Sequence, residues 1–314
     1  MTEDGVRSTT ASSIAQPALA DLERLGRSRS LWGDALRRLV KNRLAVVGAV
    51  ILAALTIAAV FAPLIAPHPY QQVFSGHIIE DPSGAHLFGT NLAGQDTLSR
   101  VIYGARNSLG VGIFVQVIIL AIAMIVGGGA ALGGKTADAL LMRLTDVVFA
   151  FPDLLFVILL QQVLSGTRLA AYMGGLFVVF LAIGLVGWVN LARLIRGQML
   201  SLRSMDYVLA SEALGATRWR ILVWHMFPNT ISPVIVALTF GVPSAIFTEA
   251  TLSFIGIGVR PPLADWGNMI YDGYGAVLAT PWPMFFPALA LAITFLSFQF
   301  LGDGLRDALD PRTR

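Results

Sequence analysis

The chain has 314 residues, 55% of them hydrophobic and only 13% charged, with a mean hydropathy of +0.71; soluble domains carry roughly 25% charged residues, so an ordinary water-soluble globule is excluded. The formal net charge of +3 arises from 22 basic residues, almost all Arg, against 19 acidic ones, and in a chain this apolar the basic residues mark membrane boundaries, not a nucleic-acid surface. There is no cysteine, which excludes disulfides, thiol catalysis and Cys-ligated metal centres within this chain.

In chain order, residues 1–30 are rich in Ser, Thr, Ala and Arg and are predicted to be a disordered cytoplasmic tail. The first apolar run starts only at Leu44, too far in for a cleaved signal peptide. From residue 31 to 314 the chain reads as one all-α polytopic membrane unit. A span needs about 20 apolar residues, and six stretches qualify: 44–66, 108–134, 147–165, 169–191, 231–258 and 284–302. With the N-terminus inside, eighteen basic residues fall on the inner side and four on the outer (Arg100, Arg106, Arg168 and Arg260). This bias predicts cytoplasmic termini, with the 67–107 and 259–283 loops outside and lipid around the spans.

The segment from Gly129 to Thr136 fits the phosphate-loop pattern G-x-x-x-x-G-K-[ST]. A working phosphate loop lies between a buried strand and a helix, whereas Gly129 ends a long charge-free run. A glycine-rich helix end with Lys135 at the membrane boundary is the expected reading, and a nucleotide-binding membrane protein is the rival. Of the four His, His68, His77 and His86 share one outer loop without i, i+4 spacing, which predicts a solvated loop and no metal site. No cofactor is expected in the chain, nor any catalytic triad.

Residues 193–230 form a cytoplasmic stretch too structured for a linker. Ser204 suits a helix N-cap, Asp206 a first turn, and Gly215 a left-handed stop. Tyr207, Ala210 or Ser211, and Leu214 then share one face of a helix over 206–214. A second helix is expected from Thr217 to a stop at Pro228. Within the fifth span, Glu249 is a costly intramembrane carboxylate; it reads either as a translocation-path or gate residue, with Phe254 beside it, or as a buried structural hydrogen bond.

The 193–230 stretch resembles the coupling loop of ABC importer permeases, in the form seen in peptide permeases: Tyr207, Val208, Leu209, Ala210, Ser211, Glu212 and Ala213, then Gly215, then Pro228 and Asn229. The family's Glu is replaced by Leu209. A block from His86 to Leu109 is similar to the outer-loop signature of dipeptide/oligopeptide permease C-type subunits. Its matching positions are Gly89, Thr90, Asn91, Gly94, Asp96, Ser99 and Arg100, with Asn91 where the family usually has Asp and Gln95 where it usually has Arg. Segments 251–267 and 301–312 look like the C-type ending. The resemblance implies a type I ABC importer permease fold in the cytoplasmic (inner) membrane, paired with a homologous permease. It further implies two ABC ATPase subunits that hydrolyse ATP outside this chain, and an extracytoplasmic substrate-binding protein. Di- or oligopeptides are the implied cargo, with nickel or another small solute as the alternative.

Overall fold

The computed structural model describes residues 31–259 and 261–310. The tail over 1–30, Arg260 and the last four residues lie outside the described residues. Among the described residues all regular structure is helical, apart from one isolated bridge between Thr90 and Asp96.

Helix α1 (Leu31–Lys41) carries Asp34 in its first turn and Arg38 and Lys41 in its last, as the helix dipole favours. Asn42 caps α2 (Arg43–Val60) by accepting the Ala45 N–H at 3.2 Å. A short α3 (Ala62–Ile65) leads into the loop before α4 (Thr97–Leu132). Helix α4 has 36 residues, roughly 54 Å at 1.5 Å per residue, and so both crosses the bilayer and projects beyond it. It is the axis of the fold, packed by α2 and by helices named below. The main core gathers around its Val111, Val115, Ile119 and Ala123.

Helices α5 (Gly134–Phe149) and α6 (Asp153–Ser165) follow, bent 90° from one another. The expected span 147–165 is therefore broken. Pro152 has no N–H to continue a helix and biases Phe151 away from helical geometry. The 13 residues of α6 reach only about 20 Å, so this span needs both halves.

The expected span 169–191 coincides with an apolar span over Arg168–Gly187 whose first turns are irregular. Residues Arg168–Gly175 form a 3₁₀ segment interrupted at Tyr172, with Met173 and Gly174 left-handed. Continuous helix begins with α7 (Leu176–Gly187) and passes through helical Trp188 into α8 (Val189–Arg203). Helix α8 packs tightly on α4: a Cβ at Gly127 would lie 2.5 Å from the Ala192 carbonyl oxygen. Glycine therefore permits this close approach.

The remaining elements are α9 (Asp206–Ala213), α10 (Arg218–Ile221), a π turn (Leu222–Met226), α11 (Phe227–Phe254), α12 (Trp266–Tyr274) and α13 (Trp282–Leu309). The helix expected to stop at Pro228 continues into α11. Ahead of this proline the Phe227 N–H reaches back to the Leu222 carbonyl, and a widened turn relieves the crowding that a proline ring imposes on an α-helix. Among the described residues, five helical stretches are long and apolar enough to cross a membrane, and α5 with α6 makes a sixth when taken as one broken span.

Candidate functional site

Helix α9 is attached to the body by one side. Val208 is 1% exposed and joins Ile221, Leu222 and Met226 in the main core. Its other face is open, with Tyr207, Leu209 and Ala210 exposed and Ser211 partly covered. The N-cap is Met205, which makes no side-chain bond; Ser204, expected in that role, instead donates to the Ser201 carbonyl at 3.1 Å. The backbone of Asp206 thus begins the helix without a hydroxyl cap.

The far end has the expected glycine stop. Gly215 has φ +80°, its N–H donates to the Glu212 carbonyl at 2.9 Å, and the Ala216 N–H donates to the Ser211 carbonyl at 3.1 Å. This pair of bonds is the Schellman closure, which places a left-handed residue just beyond the helix. Two residues later the Thr217 hydroxyl accepts the Arg220 N–H at 3.3 Å and starts α10. The turn projects Leu214 at 89% exposure, and α10 with the π turn exposes Trp219 at 72% and Trp224 at 73%. Tyr207 lies 6.5 Å from the His225 ring, and Asn229 Nδ2 donates to the His225 carbonyl at 2.6 Å. Residues 207–215, 228 and 229 therefore form one continuous structure. Its exposed apolar surface is more than a water-facing helix pair requires.

The outer-signature residues lie together at the start of α4. Asp96 caps that helix, its Oδ2 accepting the Ser99 N–H at 2.8 Å, while its Oδ1 lies 2.9 Å from His86 Nδ1. Thr90 Oγ1 accepts the Glu80 N–H and donates to the His77 carbonyl. Asn91 Oδ1 gathers the N–H groups of Ala93 and Gln95, and Asn91 Nδ2 donates to Gln95 Oε1. Arg100 Nη1 donates to the same Gln95 oxygen at 2.7 Å. Uncharged Asn91 and Gln95 thus bond directly to each other, and Gln95 also holds the Arg100 guanidinium. Gly89, Thr90, Asn91, Gly94, Asp96, Ser99 and Arg100 are all buried. They fold the loop against α4 and present little chemistry to solvent.

Glu249 is fully buried in α11. Ser253 Oγ donates to its Oε1 at 2.7 Å and accepts the Val259 N–H at 3.1 Å. Asp265, also fully buried, caps α12 by accepting the Asn268 N–H at 3.0 Å. Burial pushes the Asp265 carboxyl up to about 6. The Glu249 and Asp265 carboxyls face each other and interact directly across the gap between α11 and α12. Trp266 Nε1 donates to the Val101 carbonyl and Asn107 Nδ2 to the Ala264 carbonyl, so α12 is pinned to α4 above the pair. Phe254 stands edge-on to Tyr271 and Tyr274 at the same end.

Neither Glu249 nor Phe254 lines the cavity of about 510 Å³ within the helices, whose polar walls are Gln116, Asp153, Asn190, Ser244 and Thr248. Sequence reasoning passed over Gln116, Asn190, Ser244 and Thr248, and read Asp153, after Pro152, as structural. Their signal was an isolated amide or carboxylate within an apolar stretch, which calls for a protein-lined or watered cavity. It also passed over two ion pairs joining α5 to α8, Arg193 with Asp146 at 2.8 Å and Arg196 with Asp138. Gly129 to Thr136 spans the end of α4 and the start of α5, a helix-to-helix junction with no strand before it.

Comparison with known proteins gives two family matches. Residues 119–314 match the binding-protein-dependent transport system inner membrane component, and residues 30–82 match the N-terminal TM domain of oligopeptide transport permease C. The oligopeptide transport system permease protein OppC of Bacillus subtilis is 42% identical over 303 residues, covering 95% of this chain and 97% of that protein. The dipeptide transport system permease protein DppC of the same organism is 42% identical over 288 residues, covering 91% and 88%. The OppC protein of Escherichia coli is 37% identical, covering 91% and 93%. The chain also shares its fold with a solved inward-facing MetNI methionine ABC transporter chain, at a TM-score of 0.55 and 18% identity, covering 67% of this chain and 96% of that one.

Proposed function

The chain belongs to the binding-protein-dependent transport permeases, in the branch of the oligopeptide and dipeptide C-type subunits, and from that premise we propose that it is the membrane-crossing half of an ATP-driven peptide importer. It pairs with a homologous permease, and two ABC ATPase subunits bind it at the cytoplasmic face. An extracytoplasmic binding protein delivers the peptide, and the membrane is the inner one with both termini cytoplasmic. The chain itself hydrolyses nothing.

The single observation that carries this reading is the α9–Gly215–α10 structure. A chain that performs no hydrolysis must receive its driving force by mechanical contact. A short helix seated in a partner's groove transmits rigid-body motion only if its own mounting is stiff. Here Val208 fixes one side of α9, the Schellman turn fixes its end, and the π turn runs on into the membrane-crossing α11 without a loop. Motion of an ATPase subunit against Tyr207, Leu209, Ala210 and Leu214 would pass directly to α11 and the cavity beside it.

For Glu249, its burial, its Ser253 bond and its absence from the cavity lining support the structural reading, in which it joins α11 to the outer cap, over the translocation-path reading.

The test is uptake by proteoliposomes holding the complete complex, with its binding protein outside and ATP inside. ATP-dependent accumulation of labelled di- or oligopeptides is expected, with no accumulation of nickel. Nickel uptake without peptide uptake would assign the alternative cargo. Saturable ATP binding to this purified chain, lost in Lys135→Ala, would instead favour the nucleotide-binding rival.

A further inference from the structure

The loop between α3 and α4 brings together side chains that are far apart in sequence. His68 stands at its start, His86 at a later bend and Asp96 at the cap of α4, and one ligand atom from each lies within 4.8 Å of the others. His86 and Asp96 are buried and His68 is half-buried. His86 Nδ1 and Asp96 Oδ1 are 2.9 Å apart. Ligand atoms of a tetrahedral ion with bonds of about 2.0–2.2 Å stand roughly 3.3 Å from each other, so this pair is already near ligating distance.

The surroundings hold these side chains in place. Asp96 Oδ2 is fixed by the Ser99 N–H, and the His68 backbone N–H donates to Ser99 Oγ at 3.1 Å. His68 Nε2 lies 3.2 Å from the Ala85 carbonyl oxygen. Outer contacts of this kind, a backbone carbonyl on an imidazole and an N–H on a carboxylate, orient metal ligands. Phe74 stands edge-on to the His68 and His86 rings at 5.0 and 4.8 Å and forms an apolar wall. A His–Asp pair serving only as a helix cap needs no third ligand group, yet the loop carries the His68 ring to within 5.2 Å of the His86 ring.

We infer that His68, His86 and Asp96 form a binding site for a divalent first-row cation, zinc above all, with water in the fourth position. Two imidazoles and one carboxylate are a ligand set that suits zinc, and cobalt(II) adopts the same geometry. The ion takes the place of the hydrogen between His86 Nδ1 and Asp96 Oδ1, the neutral imidazole then carrying its proton on Nε2 by exchange through solvent, and a small rotation of half-buried His68 closes the third bond. The bound ion staples both ends of the loop to the first turn of α4. The spacing along the chain predicted a solvated loop because it could not see this convergence.

The test uses the full-length chain in detergent, purified without a polyhistidine tag and stripped with EDTA, then titrated with cobalt(II). The expected result is one cobalt per chain with the strong visible bands of four-coordinate geometry, displaced by zinc, and a higher thermal midpoint in zinc than in EDTA. His68→Phe keeps a ring against Phe74 and should lose both the bands and the zinc shift. Asp96→Asn keeps a side chain able to cap α4 and should lose them too. Weak six-coordinate spectra in the wild type, or tight binding that survives His68→Phe, would overturn the proposal. If His68→Phe lowers the midpoint in EDTA, Asp96→Asn decides: lost binding supports the site and retained binding overturns it.

Discussion

At the scale of single residues, Gly215 and Asp265 carry the clearest consequences. A Cβ at Gly215 would meet nothing within 4 Å, so a substitution there acts through the backbone alone. At φ +80° a β-branched residue costs about 1–2 kcal/mol, too little to unfold the protein but enough to re-aim α9. Gly215→Val should leave the complex assembled in the membrane and cut peptide uptake per ATP hydrolysed, whereas Gly215→Asn, which tolerates the left-handed region, should retain most of it. Paired uptake and ATPase assays check this. Asp265 gives a pH signature. Its folded value of about 6 lies above the ordinary 3.8, so between those values the folded chain holds a proton that the unfolded chain has released, and stability falls as pH rises through that window. The thermal midpoint should be higher near pH 4.5 than near pH 7, and Asp265→Asn, which can still cap α12, should reduce the difference. A wild-type midpoint that rises across that interval would contradict the assignment. Gly215 was readable from sequence because only a glycine stop explains its place after an amphipathic turn. The meeting of Glu249 with Asp265 was not, since nothing local relates a residue in a span to one in a loop 16 positions on.

Among the elements, α9 is the one whose surface is unexplained by its own fold. Ala210 lies on its exposed face, away from Val208. Ala210→Asp therefore touches nothing inside the chain but places a charge where the proposed partner groove would desolvate it, at a cost of several kcal/mol if left unpaired. Purified complexes should lose ATPase subunits or show uncoupled hydrolysis, with Gln198→Ala as the control outside α9. Equal behaviour of the two variants would reduce α9 to a surface cover. The boundaries of the membrane elements were partly legible. The run over 169–191 is largely apolar, so composition alone predicts one span, yet Met173, Gly174 and Gly175 are left-handed and regular α-helix begins only at Leu176. Pro152 broke the third span where its chemistry says it should. Pro228 did not stop its helix, because a π turn provided room that a rule about single residues cannot foresee.

For the whole molecule, the distribution of basic residues makes a directional prediction that the lack of cysteine makes easy to test. Ser75→Cys and Leu278→Cys, both exposed positions, should react with an impermeant thiol reagent added to intact cells, and Leu214→Cys only after the membrane is opened. Labelling of position 214 in intact cells would invert the topology. The helical class, the number of apolar runs and the family resemblance were all present in the sequence, since they rest on composition and local motifs. The bent third span, the capped loop on α4 and the polar cavity depend on contacts between distant segments.

The central claim is that α9 and its glycine turn receive the stroke of an ATPase subunit. It is tested most directly by placing a photo-reactive residue at position 214, the most exposed apolar point of the turn, and irradiating the assembled complex in its membrane. The account predicts a covalent adduct with an ATPase subunit whose yield changes between ATP-bound and nucleotide-free states. Adducts with lipid alone, or none with any ATPase subunit in either state, would contradict it.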